Sequence, residues 1–97
     1  MLKKIGYIGV DSGQILIVDP CYLSKWKDGD FKAESKDDKP DNSYDESGII
    51  TCFNGNSFGQ HSIGGFVSST LWGDGTYPIY AELDDRGIPK RLIIDFE

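Results

Sequence analysis

The chain has 97 residues, of which 38% are hydrophobic, 12% aromatic and 27% charged, and 12 are glycine. This length suits one globular domain and is too short for two, and the glycine content excludes a helical bundle or coiled coil. Ten basic against sixteen acidic residues give a net charge of −6, which argues against duplex nucleic acid as a partner. We therefore expect a single β domain over residues 1–97.

The N-terminal segment indicates the compartment. Glycines and Asp11 interrupt its apolar part, so it predicts no export signal and a cytoplasmic protein. The longest aliphatic run, residues 15–18, is far below the ~20 residues that cross a bilayer, so the protein is expected to be soluble, with no membrane partner. In a reducing cytosol Cys21 and Cys52 are expected to be free and mostly buried thiols.

The first predicted element is a hairpin. Residues 5–10 and 15–19 are mainly apolar, and they flank a segment, 11–14, whose Ser-Gly pair supplies the positive-φ residue of a turn. The next stretch is highly charged, with thirteen charged residues among the twenty-three from Ser24 to Glu46. It carries no sustained apolar period, so we expect a charged, flexible loop over residues 24–47, opened by a helical turn near residues 23–26.

Two further hairpins are predicted in the second half. Residues 49–53 are β-branched and aromatic, and the Asn-Gly pair that follows predicts a hairpin running into residues 65–70. Residues 76–83 and 90–96 alternate in polarity on either side of a turn, with Pro78 expected at an edge or a bulge. Three antiparallel hairpins indicate an all-β fold, with one short helical turn, arranged as a small barrel or sandwich.

Two segments carry a resemblance to a known family. Residues 73–80, the Asp-Asp-x-Gly turn after them and residues 91–96 resemble the C-terminal end of domain of unknown function 4241, an uncharacterised bacterial and phage family. Residues 11–14 leading to Val-Asp-Pro-Cys-Tyr-Leu at 18–23 are similar to the N-terminal signature of small phage and prophage proteins with that ending. The resemblance implies a phage or bacterial cytoplasmic setting and binding rather than catalysis, and it implies no activity.

The second half contains one conspicuous acid. Asp74 is the only formally charged residue from Ser47 to Ala81, and Trp72 and Tyr77 bracket it. Because an unpaired buried charge is costly, Asp74 must face water, cap its own turn or meet a partner. Either Asp74 closes its turn above a core that contains both aromatics, or the aromatics wall a ligand site in which Asp74 accepts hydrogen bonds.

Other residues extend the second interpretation. Asp19, Cys21 and Tyr22, at the end of another strand, are candidates for the opposite wall. Five basic residues near the two chain ends could form a phosphate-binding patch that includes Arg91, although lysine and arginine on edge strands also prevent sheet aggregation. The candidate ligand-binding residues are Trp72, Asp74, Tyr77, Asp19, Tyr22 and Arg91.

Catalytic and metal sites are weakly indicated. Cys21 could act as a nucleophile with His61 as its base and Asp19 or Asp74 as the orienting acid, but a cysteine just after an apolar strand is more often a small buried hydrophobe. The ligand spacing of a structural zinc site is absent, so we expect no metal and no cofactor.

These patterns favour a non-enzymatic binding module, and the family resemblance implies that it is phage-encoded. It would sequester a small polar or nucleotide-like ligand, such as a signal of host defence, or it would bind a host protein. The alternatives are a small Cys/His-dependent hydrolase or transferase and a structural protein that forms oligomers. A homodimer is expected in each case, because a β domain of this size has much exposed edge and little core.

Overall fold

The computed structural model describes residues 2–28, 41–53 and 57–97. Within them, six strands form two three-stranded antiparallel sheets, which confirms the predicted all-β class, and the sheets are not closed into a barrel. No helix in these ranges is long and apolar enough to cross a membrane. The elements in order are β1 (Leu2–Val10), β2 (Gln14–Ile17), a 3-10 helix (Pro20–Lys25), α1 (Tyr44–Gly48), a π-helix (Ile49–Phe53), β3 (Phe58–His61), β4 (Gly65–Ser69), β5 (Gly75–Leu83) and β6 (Pro89–Ile94).

The chain divides into two compact units, and each is described by itself. Unit 1 consists of Met1–Gly13 and Thr70–Glu97, and unit 2 consists of Gln14–Ser69. Whether the two units unfold together as one domain over residues 1–97 stays a prediction.

Unit 1 contains a sheet of order β1-β5-β6. The predicted hairpin between β5 and β6 is confirmed, with Ile79 opposite Ile94 and Ala81 opposite Leu92 on one face. Its turn is closed by Asp84, whose Oδ1 accepts hydrogen bonds from the backbone N–H groups of Arg86 and Ile88. Tyr77 and Ala81 on this face of β5 are buried, as the alternation of apolar and polar residues predicted, whereas Leu92 on the same face of β6 is exposed.

Pro78 lies on the central strand, so the prediction of an edge or a bulge is wrong. Its carbonyl accepts from the N–H of Asp95 at 3.1 Å, which shows that its missing N–H also faces β6. β6 ends at Ile94, one residue before Asp95. The sheet therefore tolerates the proline because the neighbouring strand ends where the donor is absent.

The predicted first hairpin is wrong in its pairing, although both strands exist. β1 pairs with β5 along its whole length, and β2 pairs with β4. Gly13 does adopt the positive φ of a turn, 71°, but the chain leaves one sheet there and enters the other. A turn signal specifies the local backbone conformation and does not choose the pairing partner of the strands around it.

Unit 2 contains a sheet of order β2-β4-β3. The predicted strand over residues 49–53 is a π-helix that continues directly from α1, so the second predicted hairpin is wrong. The actual hairpin joins β3 to β4, with Gly64 at a φ of 91° in its turn, while the Asn-Gly segment at 54–56 lies outside the described residues. β-branched residues favour strands only weakly, and here the preceding helix overrides that preference.

The charged stretch of residues 24–47 contains more ordered structure than its composition indicates. The 3-10 helix supplies the predicted helical turn, and α1 begins inside the stretch, after Ser43. Lys27 also bridges to Ser43 in parallel. Residues 29–40 lie outside the described ranges, so the loop prediction is untested there.

Both thiols are free and exposed, so the expectation that they are mostly buried is wrong. Cys21 lies on the 3-10 helix, where no residue is buried. Following an apolar strand in the sequence therefore does not make Cys21 buried.

Candidate functional site

The turn that connects β4 to β5 is the candidate site in unit 1, and we call residues 70–75 the Trp72 turn. Its first residue is attached to the preceding turn of the same unit, because the N–H of Thr70 donates to the carbonyl of Gly13 at 3.0 Å. Gly73 has a φ of 78°, a conformation that L-residues with a side chain adopt only at a cost. A glycine is therefore favoured at this point of the turn.

Two side-chain hydroxyls hold the Trp72 turn from inside. The carbonyl of Gly73 accepts hydrogen bonds from the hydroxyls of Thr70, at 2.5 Å, and Tyr77, at 2.7 Å. Both donors are buried, and the Tyr77 ring packs edge-on against Phe96 with centroids 5.4 Å apart. The backbone of the turn is therefore fixed by two part-buried hydrogen bonds whose donor residues are buried.

The Trp72 turn exposes large apolar side chains. Trp72 is 72% exposed and Leu71 is 64% exposed, whereas Tyr77 is 5% exposed. Tyr77 therefore holds the turn and does not present a ring face to a ligand, so the structure separates the two aromatics that the sequence grouped. Burying a large aromatic side chain is worth a few kcal/mol, which makes an exposed Trp72 a strong candidate for contact with a partner.

Asp74 is exposed, and its side chain makes no hydrogen bond to any described residue. It therefore does not close its own turn, which was one of the two interpretations of this carboxylate. Asp11 lies in the adjoining turn, where a Cβ placed on Gly13 would be 4.0 Å from the Cα of Gly73. Neither residues 10–13 nor residues 70–76 contain a lysine or arginine. The surroundings of Trp72 in unit 1 are therefore acidic.

Asp19 and Tyr22 belong to unit 2 and have local partners there. Asp19 caps the 3-10 helix, with its Oδ1 accepting from the N–H of Cys21 at 2.9 Å. The Tyr22 ring lies close to Gly64, and the Lys25 ammonium is 5.1 Å from its centroid. Within unit 2, helix capping accounts for Asp19, and packing accounts for one face of Tyr22.

Arg91 is paired inside unit 1. Its guanidinium contacts the Glu82 carboxylate, which also accepts the Lys90 ammonium at 3.3 Å. The hydrogen bonds from Arg91 and Lys90 hold the pKa of Glu82 below its ordinary value. Arg86 is likewise within 3.4 Å of Asp84, so three of the five cations in the proposed basic patch already have an acidic partner.

The other two cations, Lys3 and Lys4, lie on β1. A bulge between Lys4 and Gly6 places Lys4 and Tyr7 on one face of the sheet. The Lys4 ammonium donates to the Tyr7 hydroxyl at 3.2 Å, and this hydrogen bond raises the pKa of Lys4. β5 lies between β1 and β6, so the predicted adjacency of the first and last strands is wrong.

A buried polar network in unit 2 was not identified from the sequence. Glu46 is 5% exposed, and its carboxylate accepts from the N–H groups of Asn42, at 2.9 Å, and Ser62, at 2.7 Å, and from the Ser62 hydroxyl. Burial by itself raises the pKa of Glu46, but these hydrogen bonds and the nearby His61 outweigh it and hold the pKa below its ordinary value. The network joins the start of α1 to the β3–β4 turn.

His61 belongs to the same network. Its Nε2 donates to the carbonyl of Ser43 at 2.9 Å, and its Nδ1 accepts from the N–H of Ile63 at 3.2 Å. His61 is 1% exposed, while Cys21 is exposed on the 3-10 helix. Both ring nitrogens therefore have main-chain partners, and neither is free to act as the base for Cys21 in this arrangement.

One sequence signal could have revealed this network. Ser43 and Glu46 are spaced as in a capping box, in which a serine caps a helix and a glutamate three residues later reaches back. The Ser43 hydroxyl accepts from the N–H of Glu46, and Glu46 binds the N–H groups just before the cap. Nothing comparable in the sequence indicated that Thr70 and Tyr77 share the carbonyl of Gly73.

Over residues 2–28, 41–53 and 57–97, no group of three His, Cys, Asp or Glu side chains could hold a metal ion.

Comparisons with known proteins give no match, whether to a protein-family model, to a curated protein sequence or to a solved structure.

Proposed function

We propose that this protein is a non-enzymatic binding module and that the Trp72 turn docks into a partner protein. The observation that carries the proposal is a tryptophan 72% exposed on a turn whose carbonyl is fixed by two buried hydroxyls. Tryptophan is enriched among the residues that dominate binding energy in protein interfaces. A turn that is already ordered loses little conformational entropy on binding, so more of the contact energy becomes affinity.

The shape and charge of the turn define the class of partner. Small molecules bind mostly in concave sites, whereas Leu71 and Trp72 are side chains of a turn that both extend into solvent. Asp11 and Asp74 add negative charge beside them, with no basic residue in either turn. The partner that fits is a protein with an apolar pocket bordered by lysine or arginine. The phage or bacterial setting implied by the family resemblance stays part of the proposal.

The test immobilises three forms of the protein: the natural chain, Trp72→Ala and Tyr7→Ala. It compares which proteins each form captures from a bacterial extract. Tyr7 is the matched control, because it is also a strongly exposed aromatic residue of unit 1 but lies on β1. We expect a protein that is retained by the natural chain and by Tyr7→Ala and lost with Trp72→Ala. With the partner purified, the loss of affinity should be at least about 2 kcal/mol, or about 30-fold.

A second measurement reports on Trp72 directly. The chain has two tryptophans, so Trp26→Phe leaves Trp72 as the only one. The partner should shift the fluorescence of this variant to shorter wavelength, because docking removes water from the indole. Equal capture by Trp72→Ala and the natural chain would discard the proposal. A small molecule that copurifies with the natural chain and not with Trp72→Ala would replace the protein partner with a small ligand.

A further inference from the structure

We infer that β6 is a self-association edge, on which a second copy of this chain pairs antiparallel about a two-fold axis. This inference is independent of the Trp72 turn. β6 is an edge strand, and its first five residues are all exposed, including Leu92 at 61% and Ile93 at 41%. Exposed apolar edge strands are templates for pairing with another chain.

The two edges of this sheet differ in their protection. β1 carries a bulge at residues 4–6, together with Lys3 and Lys4, and bulges and lysines are the devices that keep an edge from pairing. β6 also carries a proline, a lysine and a register shift, but these lie at its start, at residues 89–90, and its pairing with β5 is regular from Arg91 to Ile94. Of these two edges, β6 is therefore the one open to a second chain.

Backbone geometry limits the possible registers. The N–H of Asp95 points toward β5, because it donates to the carbonyl of Pro78, so Ile93 and Arg91 also direct their backbone groups inward. Leu92 and Ile94 then direct theirs to the free edge. An antiparallel pair in which Leu92 exchanges hydrogen bonds with the partner's Ile94 satisfies these groups and places Ile93 opposite the partner's Ile93.

Charge complementarity selects this register among those that the backbone allows. It places Arg91 opposite the partner's Asp95, and the two-fold axis repeats this pair. Arg91 and Lys90 share the single carboxylate of Glu82, so one positive charge remains in excess at the start of β6. Asp95 has no ion pair with a described residue and lies just past the other end of the strand. Antiparallel association therefore joins opposite charges at both ends of an apolar centre.

The test is a charge-reversal pair measured by size-exclusion chromatography with light scattering. We expect the natural chain to have twice the 10.8 kDa mass of one chain. Arg91→Asp and Asp95→Arg should each halve that mass, since each opposes like charges across the axis. An equimolar mixture of the two variants should recover the doubled mass, because every cross-strand pair is then complementary. Arg86→Asp, a reversal in the turn before β6, should leave the mass of the natural chain unchanged.

A further variant covers the case in which Arg91→Asp fails to fold beside Glu82. Leu92→Pro removes an N–H that points to the free edge and leaves the pairing with β5 intact, so it should give a folded monomer. The inference is overturned if the natural chain is a monomer at every accessible concentration. It is also overturned if folded single variants keep the doubled mass, or if their mixture fails to restore it.

Discussion

The buried carboxylate of Glu46 makes the stability of the protein depend on pH. Its hydrogen bonds from Asn42 and Ser62 hold the folded-state pKa below the ordinary value of 4.5. The unfolded chain therefore takes up the proton first as the pH falls. Glu46 stabilises the fold above about pH 4.5, and this contribution is lost as the pH falls through the lower folded-state pKa.

We predict that Glu46→Gln lowers the free energy of unfolding by about 2 kcal/mol at neutral pH, because charged hydrogen bonds are lost at a buried site. The difference from the natural chain should shrink as the solution is acidified below pH 4.5. Urea denaturation as a function of pH measures both effects. Asp85→Asn, a change at an exposed carboxylate in the β5–β6 turn, is the control. A constant difference at every pH would contradict this account.

Tyr77 is a second residue with a testable role, because its hydroxyl holds the Trp72 turn. Tyr77→Phe removes one of the two hydroxyls that bind the carbonyl of Gly73 and keeps the ring against Phe96. We expect a loss of about 1 kcal/mol in the free energy of unfolding and weaker capture of the partner by an otherwise folded protein. Tyr7→Phe removes a hydroxyl on β1 whose hydrogen bond from Lys4 is exposed to solvent, so it should change neither quantity measurably. Unchanged stability in Tyr77→Phe would show that the hydrogen bond does not fix the turn.

At the scale of elements, the pairing of β2 with β4 depends on a strand glycine. A Cβ on Gly65 would lie 2.6 Å from the carbonyl oxygen of Ile17 and 3.0 Å from the Leu16 side chain. Gly65→Ala must therefore push two paired strands apart, and overpacking of this kind costs about 1–3 kcal/mol. We expect that loss in denaturation experiments.

The matched control for this element is Gly9→Ala on β1. Nothing lies within 4 Å of a Cβ at that position, and alanine restricts the unfolded chain more than glycine does. Gly9→Ala should therefore be neutral or slightly stabilising. If both alanines destabilise equally, the cost reflects strand glycines in general and not the close approach of β2 to β4.

At the scale of the whole molecule, the order of the chain couples the two units. Unit 1 is made of two segments separated by all of unit 2, and its size is near the lower limit of about 40 residues for unaided folding. Gln14 and Ser69 pair inside unit 2, which brings the end of the first segment of unit 1 next to the start of the second. Folding of unit 2 therefore lowers the entropy cost of pairing β1 with β5.

Hydrogen exchange tests this coupling. Val67 in β4 and Ala81 in β5 are fully buried on the central strands of their sheets. We expect Glu46→Gln, a change inside unit 2, to lower the protection of both amides by the same free energy. A loss of protection confined to Val67 would mean that the units open separately and that the single-domain prediction is wrong.

Local patterns in the sequence determined the parts of the fold that depend on neighbouring residues. Alternation predicted the β5–β6 hairpin and the buried face of β5, and the Ser-Gly pair predicted the positive φ at Gly13. The isolation of Asp74 and the bracketing aromatics identified the segment of the Trp72 turn. These features follow from side-chain period and backbone sterics, which act over a few residues.

Only the tertiary structure decided which strands pair and which polar groups are buried. β1 joins β5 across most of the chain, residues 49–53 follow a capped helix, and Glu46 is buried by residues of the β3–β4 turn. The tertiary structure also decided the role of Tyr77. Its position in an alternating strand predicted a buried ring and did not reveal that its hydroxyl fixes the Trp72 turn. Each outcome rests on contacts between segments far apart in sequence, and such contacts are set by packing and hydrogen-bond satisfaction over the whole unit.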